Sequence, residues 1–324
     1  MAVWQTKVQK RQTVKKKAAL KKEASLFSQL DVVLGNRLIT LSNNCYPYRA
    51  MMELILNYSG DTLSTQFMAE LMDQTLLTDA GNSGFRARAA QTAGSCKWDL
   101  MAPLHSDLFF QDKMLLNGVD VKIKFTRSKD KFCLMSGALV DNYKVHILNA
   151  ALFVKRVKVS PAVRLGNAEA LLTANAKYPI EHVRMKVFSI PGGSLICNQE
   201  NLFLGQLPKQ LVIGFVNSAA FSGDYSQNSF NFKHFNVNFV ALYVDEVQVP
   251  SKPLQPNYLL GQCVREFMQL VQVTGKEMKD QSLLINRNEF SKGYTLYGFD
   301  LSLGQSCADH YSLIKTGNLR AEIR

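Results

Sequence analysis

The commonest spacing between apolar residues along this chain is two. In "VDVKIKFT" (residues 119–126), Val119, Val121, Ile123 and Phe125 share one face while Asp120, Lys122, Lys124 and Thr126 share the other. That alternation predicts a half-buried strand. "HVRMKVF" (residues 182–188) repeats it, with Val183, Met185 and Val187 inward and His182, Arg184 and Lys186 outward. Residues 235–249, "FNVNFVALYVDEVQV", begin in alternation and become apolar on both faces, and residues 145–159, "VHILNAALFVKRVKV", predict another long strand. The most apolar stretch is "LFLGQLPKQLVIGFVNSAAFSGD", residues 202–224. Pro208 cannot donate to a ladder and belongs at a strand start or corner. Beyond it Leu211, Ile213 and Phe215 alternate with Val212, Gly214 and Val216, so the strand is apolar on both sides and needs cover on both. "SAAFSGD" reads as its turn-rich exit.

Helical spacing is confined to short pieces: residues 48–59 after Pro47, residues 167–175, and residues 263–275 with Gly275 as a stop. Many strands with helices only in the connections predict an all-β fold of antiparallel β-sandwiches or jelly rolls, not a parallel sheet with crossover helices. Strand-rich blocks lie on both sides of residues 136–144. The prediction is therefore two sandwiches in tandem with a boundary there, the first one short. A leader rich in Lys, Ala, Leu and Gln, residues 1–25, predicts a basic helix or a disordered arm.

A chain of 324 residues buries enough surface to hold a core without disulfides or metals. The net charge of +12 is uneven: the first 24 residues hold eight basic residues against Glu23 alone, so +7 sits there and the other 300 residues carry +5. Lys15, Lys16, Lys17, Lys21 and Lys22 are the candidates for nonspecific phosphate contact by counterion release; a solvated leader with no specific role is the alternative. No apolar run reaches the length of a membrane span, and the first residues lack the apolar segment of a signal peptide. The expectation is a protein that is neither secreted nor membrane-embedded.

Candidate chemistry is sparse. Cys45, Cys96, Cys133, Cys197, Cys263 and Cys307 are scattered singly, without the paired spacing of a metal framework, and predict free thiols. His105, His146, His182, His234 and His310 fall on separate elements. "DLMAPLHSDLF" brings Asp99, His105 and Asp107 close in sequence, where a base and its orienting carboxylate are conceivable and a capped loop is the simpler reading. "NYS" at residues 57–59 fits a glycosylation sequon. Nucleotide-binding, zinc-protease and serine-hydrolase signatures do not occur, so the expectation is no catalytic residue, no metal, no cofactor and no small-molecule substrate. The aromatic residues alternate as core residues do and do not interleave with Arg and Lys as a base-stacking platform would.

Four blocks carry a resemblance: "LFSQLDVVLGNRLITLSNNCYPYRAMMELILNYS", "DLFFQDKMLLNGVDVKIKFTRSKDKFCLM", "LPKQLVIGFVNSAAFSGDYSQNSFNFKHFNVNFVALYVDEVQVPSKPLQPNY" and "NRNEFSKGYTLYGFDLS". Over residues 26–324 the chain resembles the major capsid (hexon) protein of Polinton/Maverick elements and related adintoviruses. The resemblance implies a double jelly roll, with residues 26–143 forming part of the first roll and residues 144–324 the second. It further implies homotrimeric capsomers in a capsid lattice and a place in the virion, or otherwise inside the host cell. It leads one to expect further strands before residue 26 and a final strand after "NLRAEIR", hence a truncated copy. Turn-rich residues 223–233 and 249–258 are expected at intersubunit surfaces. A non-enzymatic β-sandwich binding module of cellular origin, acting through loops such as residues 218–231, is the alternative.

Overall fold

The computed structural model describes residues 2–11, 18–20, 23–64, 89–90, 97–136, 143–203, 205–302 and 315–324. The N-terminal half holds strands β1 (Ala2–Arg11), β2 (Ala18–Leu20), β3 (Phe27–Leu34), β4 (Arg37–Leu38), β5 (Lys97–Pro103), β6 (Val121–Arg127), β7 (Leu134–Ser136) and β8 (Lys144–Val154). They form antiparallel sheets in the orders β5-β1-β8, β4-β3-β6 and β2-β7. Leu26, Phe27, Leu30 and Val32 meet Leu100, Leu104, Leu134 and Val145 in a first core, with Ile123 and Phe125 of β6 packed against it. The alternation expected for residues 119–126 holds only in its second half: Ile123 and Phe125 pack on the core with Lys124 exposed between them, while Val119 and Val121 are exposed.

One further expectation for this half changes. The leader is not a helix at its start, because β1 forms the middle strand of its sheet, paired to β5 from Val3↔Pro103 to Gln9↔Lys97 and to β8 on its other side. Val3, Trp4, Thr6 and Val8 are residue types that favour a pleated strand, and two ladders outweigh the helix-forming lysines and glutamines among them. Lys15, Lys16, Lys17, Lys21 and Lys22 lie outside the described residues.

The C-terminal half holds β9 (Cys197–Gln199), β10 (Gln210–Gly214), β11 (Val240–Val244), β12 (Val247–Leu254), β13 (Leu296–Asp300) and β14 (Leu319–Ile323). The pair β10-β13 faces the four-stranded sheet β12-β11-β14-β9. Val240, Leu242, Leu254, Tyr297, Phe299 and Leu319 form the core of this second sandwich. The fold is thus all-β: antiparallel sandwiches with short helices in the connections. The stretch expected as one strand over residues 235–249 is instead the end of a loop and a hairpin. Asp245 and Glu246 both have positive φ (47° and 70°) and reverse the chain in two residues, a turn usually written with Gly and so hidden in this sequence.

The helices are α1 (Tyr46–Asn57), α2 (Asp130–Cys133), α3 (Pro161–Thr173), α4 (Ser218–Ser222), α5 (Val264–Val273) and α6 (Arg287–Phe290). Helix α4 replaces the turn-rich exit expected there: Asn217 accepts the Ala219 N–H (2.9 Å) as its cap, and Gly223 at φ +97° ends it. Helix α5 stops at Gly275 (φ +64°) as expected. Between the sandwiches lies an apolar layer in which Met51, Leu54 and Ile55 of α1 meet Leu270 of α5, Phe290 of α6 and Leu296 of β13.

Residues 223–233 belong to this layer and not to an outward loop. Phe230 and Phe232 are fully buried, and Phe230 sits edge-on to Tyr48 and Phe132 at 5.7 and 5.9 Å between ring centroids. Turn composition misled here because the segment's Ser and Asn satisfy its own backbone: Asn228 accepts the Phe230 N–H, and Ser229 donates to Ala220 O. Replacing Phe230 by Ala is expected to cost about 3–5 kcal/mol in urea unfolding. A cost within about 0.5 kcal/mol, normal for surface positions, would return the segment to the surface.

Candidate functional site

Helix α1 begins after Cys45 with Pro47 in its first turn, where a missing N–H costs nothing. Its apolar face sinks into the interlayer, which turns Arg49 and Glu53, one helical turn apart, toward the loop that follows β5. Arg49 Nε donates to Glu53 Oε1 at 2.7 Å, and its Nη2 donates to Asp107 Oδ1. His105 donates from Nδ1 to Glu53 Oε2 at 2.6 Å. His182, from the extended segment after α3, donates from Nδ1 to Asp107 Oδ2 at 2.9 Å, and the Val183 N–H reaches Asp107 Oδ1 at 3.3 Å. His105 is buried, Arg49, Glu53 and Asp107 nearly so, and His182 is half in solvent.

The electrostatics follow from this geometry. Burial alone would raise the Glu53 carboxyl, but the His105 hydrogen bond and the Arg49 charge hold it below the usual carboxylate range. Burial likewise works against the Arg49 charge, and Glu53 and Asp107 outweigh it. Every carboxylate oxygen in the cluster accepts a hydrogen bond from Arg49, His105, His182 or the Val183 N–H. Ser106, beside His105 in sequence, has a buried hydroxyl with no hydrogen-bond partner among the described residues, so His105 does not activate it. The cluster acts as a clamp. It fastens α1, the loop after β5 and the segment around His182, three pieces that share no sheet.

Of the residues singled out in sequence, the structure gathers His105, Asp107 and His182 and leaves Asp99 on β5, opposite Lys7 in the ladder. The two groups that organise the cluster, Arg49 and Glu53, were missed; their one local signal is an i,i+4 pair of opposite charge on an otherwise apolar helix. His146 lies on β8 and His310 outside the described residues. His234 stacks on Tyr258 at 4.1 Å between centroids, where burial lowers its pKa. Tyr258 and Tyr297 share a 2.7 Å hydroxyl contact above Cys263 and Glu266, whose carboxyl burial raises. Cys45, Cys133, Cys197 and Cys263 are free thiols, Cys96 and Cys307 lie outside the described residues, and no cluster of three metal-ligating side chains occurs among those described. Among the described residues no helix is long and apolar enough to cross a membrane.

A broad groove of about 2,850 Å³ opens beside the clamp. It is lined by β10 with residues 215–217 and by the chain of residues 179–197, which turns at Pro191–Ser194.

No protein-family model matches the chain. It is 23% identical over 304 residues to an uncharacterized protein of Caenorhabditis elegans, a match spanning 92% of this chain and 72% of that one. Among solved structures, the crystal structure of PBCV-1 VP54 fitted into a cryo-EM reconstruction of the virophage Sputnik is similar, with TM-score 0.47 and 11% identity, covering 100% of this chain and 76% of that one.

Because the native Glu53 carboxyl lies below its unfolded value, its contribution to stability is present above the unfolded pKa and disappears as pH falls through the native one. Replacing Glu53 by Gln is expected to cost about 3 kcal/mol at neutral pH, since it takes the paired charge from buried His105 and leaves Arg49 with Asp107 alone. It should also flatten the acid limb of a plot of urea midpoint against pH. An unchanged acid limb would remove Glu53 from the clamp.

Proposed function

We propose that the chain is a structural shell subunit: a double jelly roll of the Polinton/Maverick major-capsid kind that self-associates into homotrimeric capsomers and a capsid lattice, and so resides in a virion. On this reading it transforms no molecule, and Lys15, Lys16, Lys17, Lys21 and Lys22 would meet enclosed nucleic acid by phosphate neutralisation. The four blocks of similar wording over residues 26–324 and the tandem sandwiches support the lineage.

The observation that carries self-association is a continuous apolar surface. From Leu148 through Ile196 the chain contributes Leu152, Phe153, Val154, Val157 and Val159, all exposed. Helix α3 follows, capped by Ser160 and without one buried residue; its Leu165 and Leu172 are 73% and 85% exposed. A helix is stable in water mainly through what its apolar face packs against, and exposed apolar surface on this scale marks an interaction site. Closed symmetric association of identical chains would cover it. Residues 249–258, which begin on the edge strand β12 and run past its end at Leu254, remain a proposed intersubunit surface.

In analytical ultracentrifugation the wild-type chain is expected to sediment as a trimer. The double change Leu165→Asp and Leu172→Asp should weaken association by at least about tenfold while leaving urea unfolding of the isolated chain unchanged. A monomeric wild type at every concentration would overturn the proposal.

A further inference from the structure

The groove beside the clamp has the dimensions and bonding of an empty strand position. Residues 182–190 belong to no helix and, among the described residues, join no ladder, although their alternation is that of a strand. Across the groove, β10 pairs with β13 on one side and with no described strand on the other. Both walls send side chains alternately into the same two cores. From β10 and its continuation, Val212 and Val216 pack on the interlayer and Leu211, Ile213 and Phe215 on the second sandwich; from the opposite wall, Met185 packs on the interlayer and Phe188 on the second sandwich. A strand laid between them would place its alternate side chains in those same cores and pair its backbone on both edges. Nine residues of strand are about 30 Å long and, at ~4.8 Å between strands and ~10 Å between layers, occupy on the order of 1,400 Å³. The groove holds that volume.

We infer that this groove is a docking site for an extended β-strand of another polypeptide, one whose apolar residues alternate with acidic ones. Backbone pairing on both edges would supply affinity, and the alternate pockets would supply selection, as in other strand-addition sites. The charge of the occupant follows from the lining, which carries Lys113, Arg184, Lys186, Lys209, Lys279 and Arg324 against Asp112 and Glu181, while Arg49 is paired with Glu53 and Asp107 in the clamp. A second copy of this chain is a poor occupant. Its net charge is +12, and its own alternating segments, "VKIKF" and "VRMKV", set lysine and arginine between their apolar residues.

The test uses the full chain and a fluorescein-labelled peptide, acetyl-EVTVEVTVE-amide, read by fluorescence polarisation. Saturable binding is expected, at least about tenfold weaker for the peptide with alternate amides N-methylated and for KVTVKVTVK. Val187→Pro should weaken binding similarly without shifting thermal unfolding, because Val187 is 49% exposed and its N–H has no partner among the described residues. Hydrogen exchange should show slowing on peptide addition at those amides of residues 184–190 and 211–216 that are not already bonded to β13 or elsewhere in the free chain. Equal binding of the N-methylated or lysine peptide would overturn the inference, as would absence of saturable binding. So would protection, in the peptide-free chain, of the amides that β13 does not bond, which would mean that the chain itself or a second copy fills the position.

Discussion

A strand that is apolar on both faces cannot rest on a single sheet's worth of cover, and the arrangement of this protein follows from that constraint at β10. Leu211 and Ile213 need the second sandwich, Val212 needs the helical layer, and Gly214 leaves room for both. A Cβ at Gly214 would stand 2.7 Å from Leu296 Cδ2 and 2.9 Å from Phe232 Cδ1. The hydrophobic free energy of such burial, about 25 cal/mol per Å², is gained only if the interlayer and the second core form together. The strand therefore couples the two. Helix α1 carries the coupling onward: Met51 and Leu54 pack in the interlayer while Tyr46 and Ala50 reach the first core.

The clamp around Arg49 belongs to the same logic. Where the chain leaves the sheets, between α3 and β9, it has no ladder to hold it, and Asp107 fixes it through His182 and the Val183 N–H. Asn43 adds a hydrogen bond to Met185 O at 2.9 Å. Buried ion pairs are poor sources of net stability, but they fix geometry, and here they hold one wall of the groove open opposite β10. The apolar surface from Leu148 to Ile196 and the groove are two sides of one segment that the chain itself leaves uncovered.

Periodicity made much of this legible. Residues 123–126, 210–216, 48–59 and 263–275 fold as their apolar spacing says, because each spacing is enforced by a core that the element touches. Three features were hidden for physical reasons. The Asp245–Glu246 turn uses positive φ without glycine, so two strands read as one. Phe230 and Phe232 sit among Ser, Asn and Asp that serve their own backbone, so a core segment reads as a loop. β1 is held by ladders to strands distant in the chain, which no local pattern reports. Residues 182–188 are the reverse case: the alternation of a strand is plain, and the partner is what the described structure leaves open. Of the clamp, the histidines and Asp107 were visible as residue types, but their pairing with Arg49 and Glu53 depends on how α1 meets the loop after β5.

The central claim is that this polypeptide works by laying β-layers against other polypeptides, and electron cryomicroscopy of the purified wild-type chain tests it most directly. The account predicts three-fold symmetric particles in which residues 148–196 lie at the contact between chains. Isolated single chains with that surface facing solvent would contradict it.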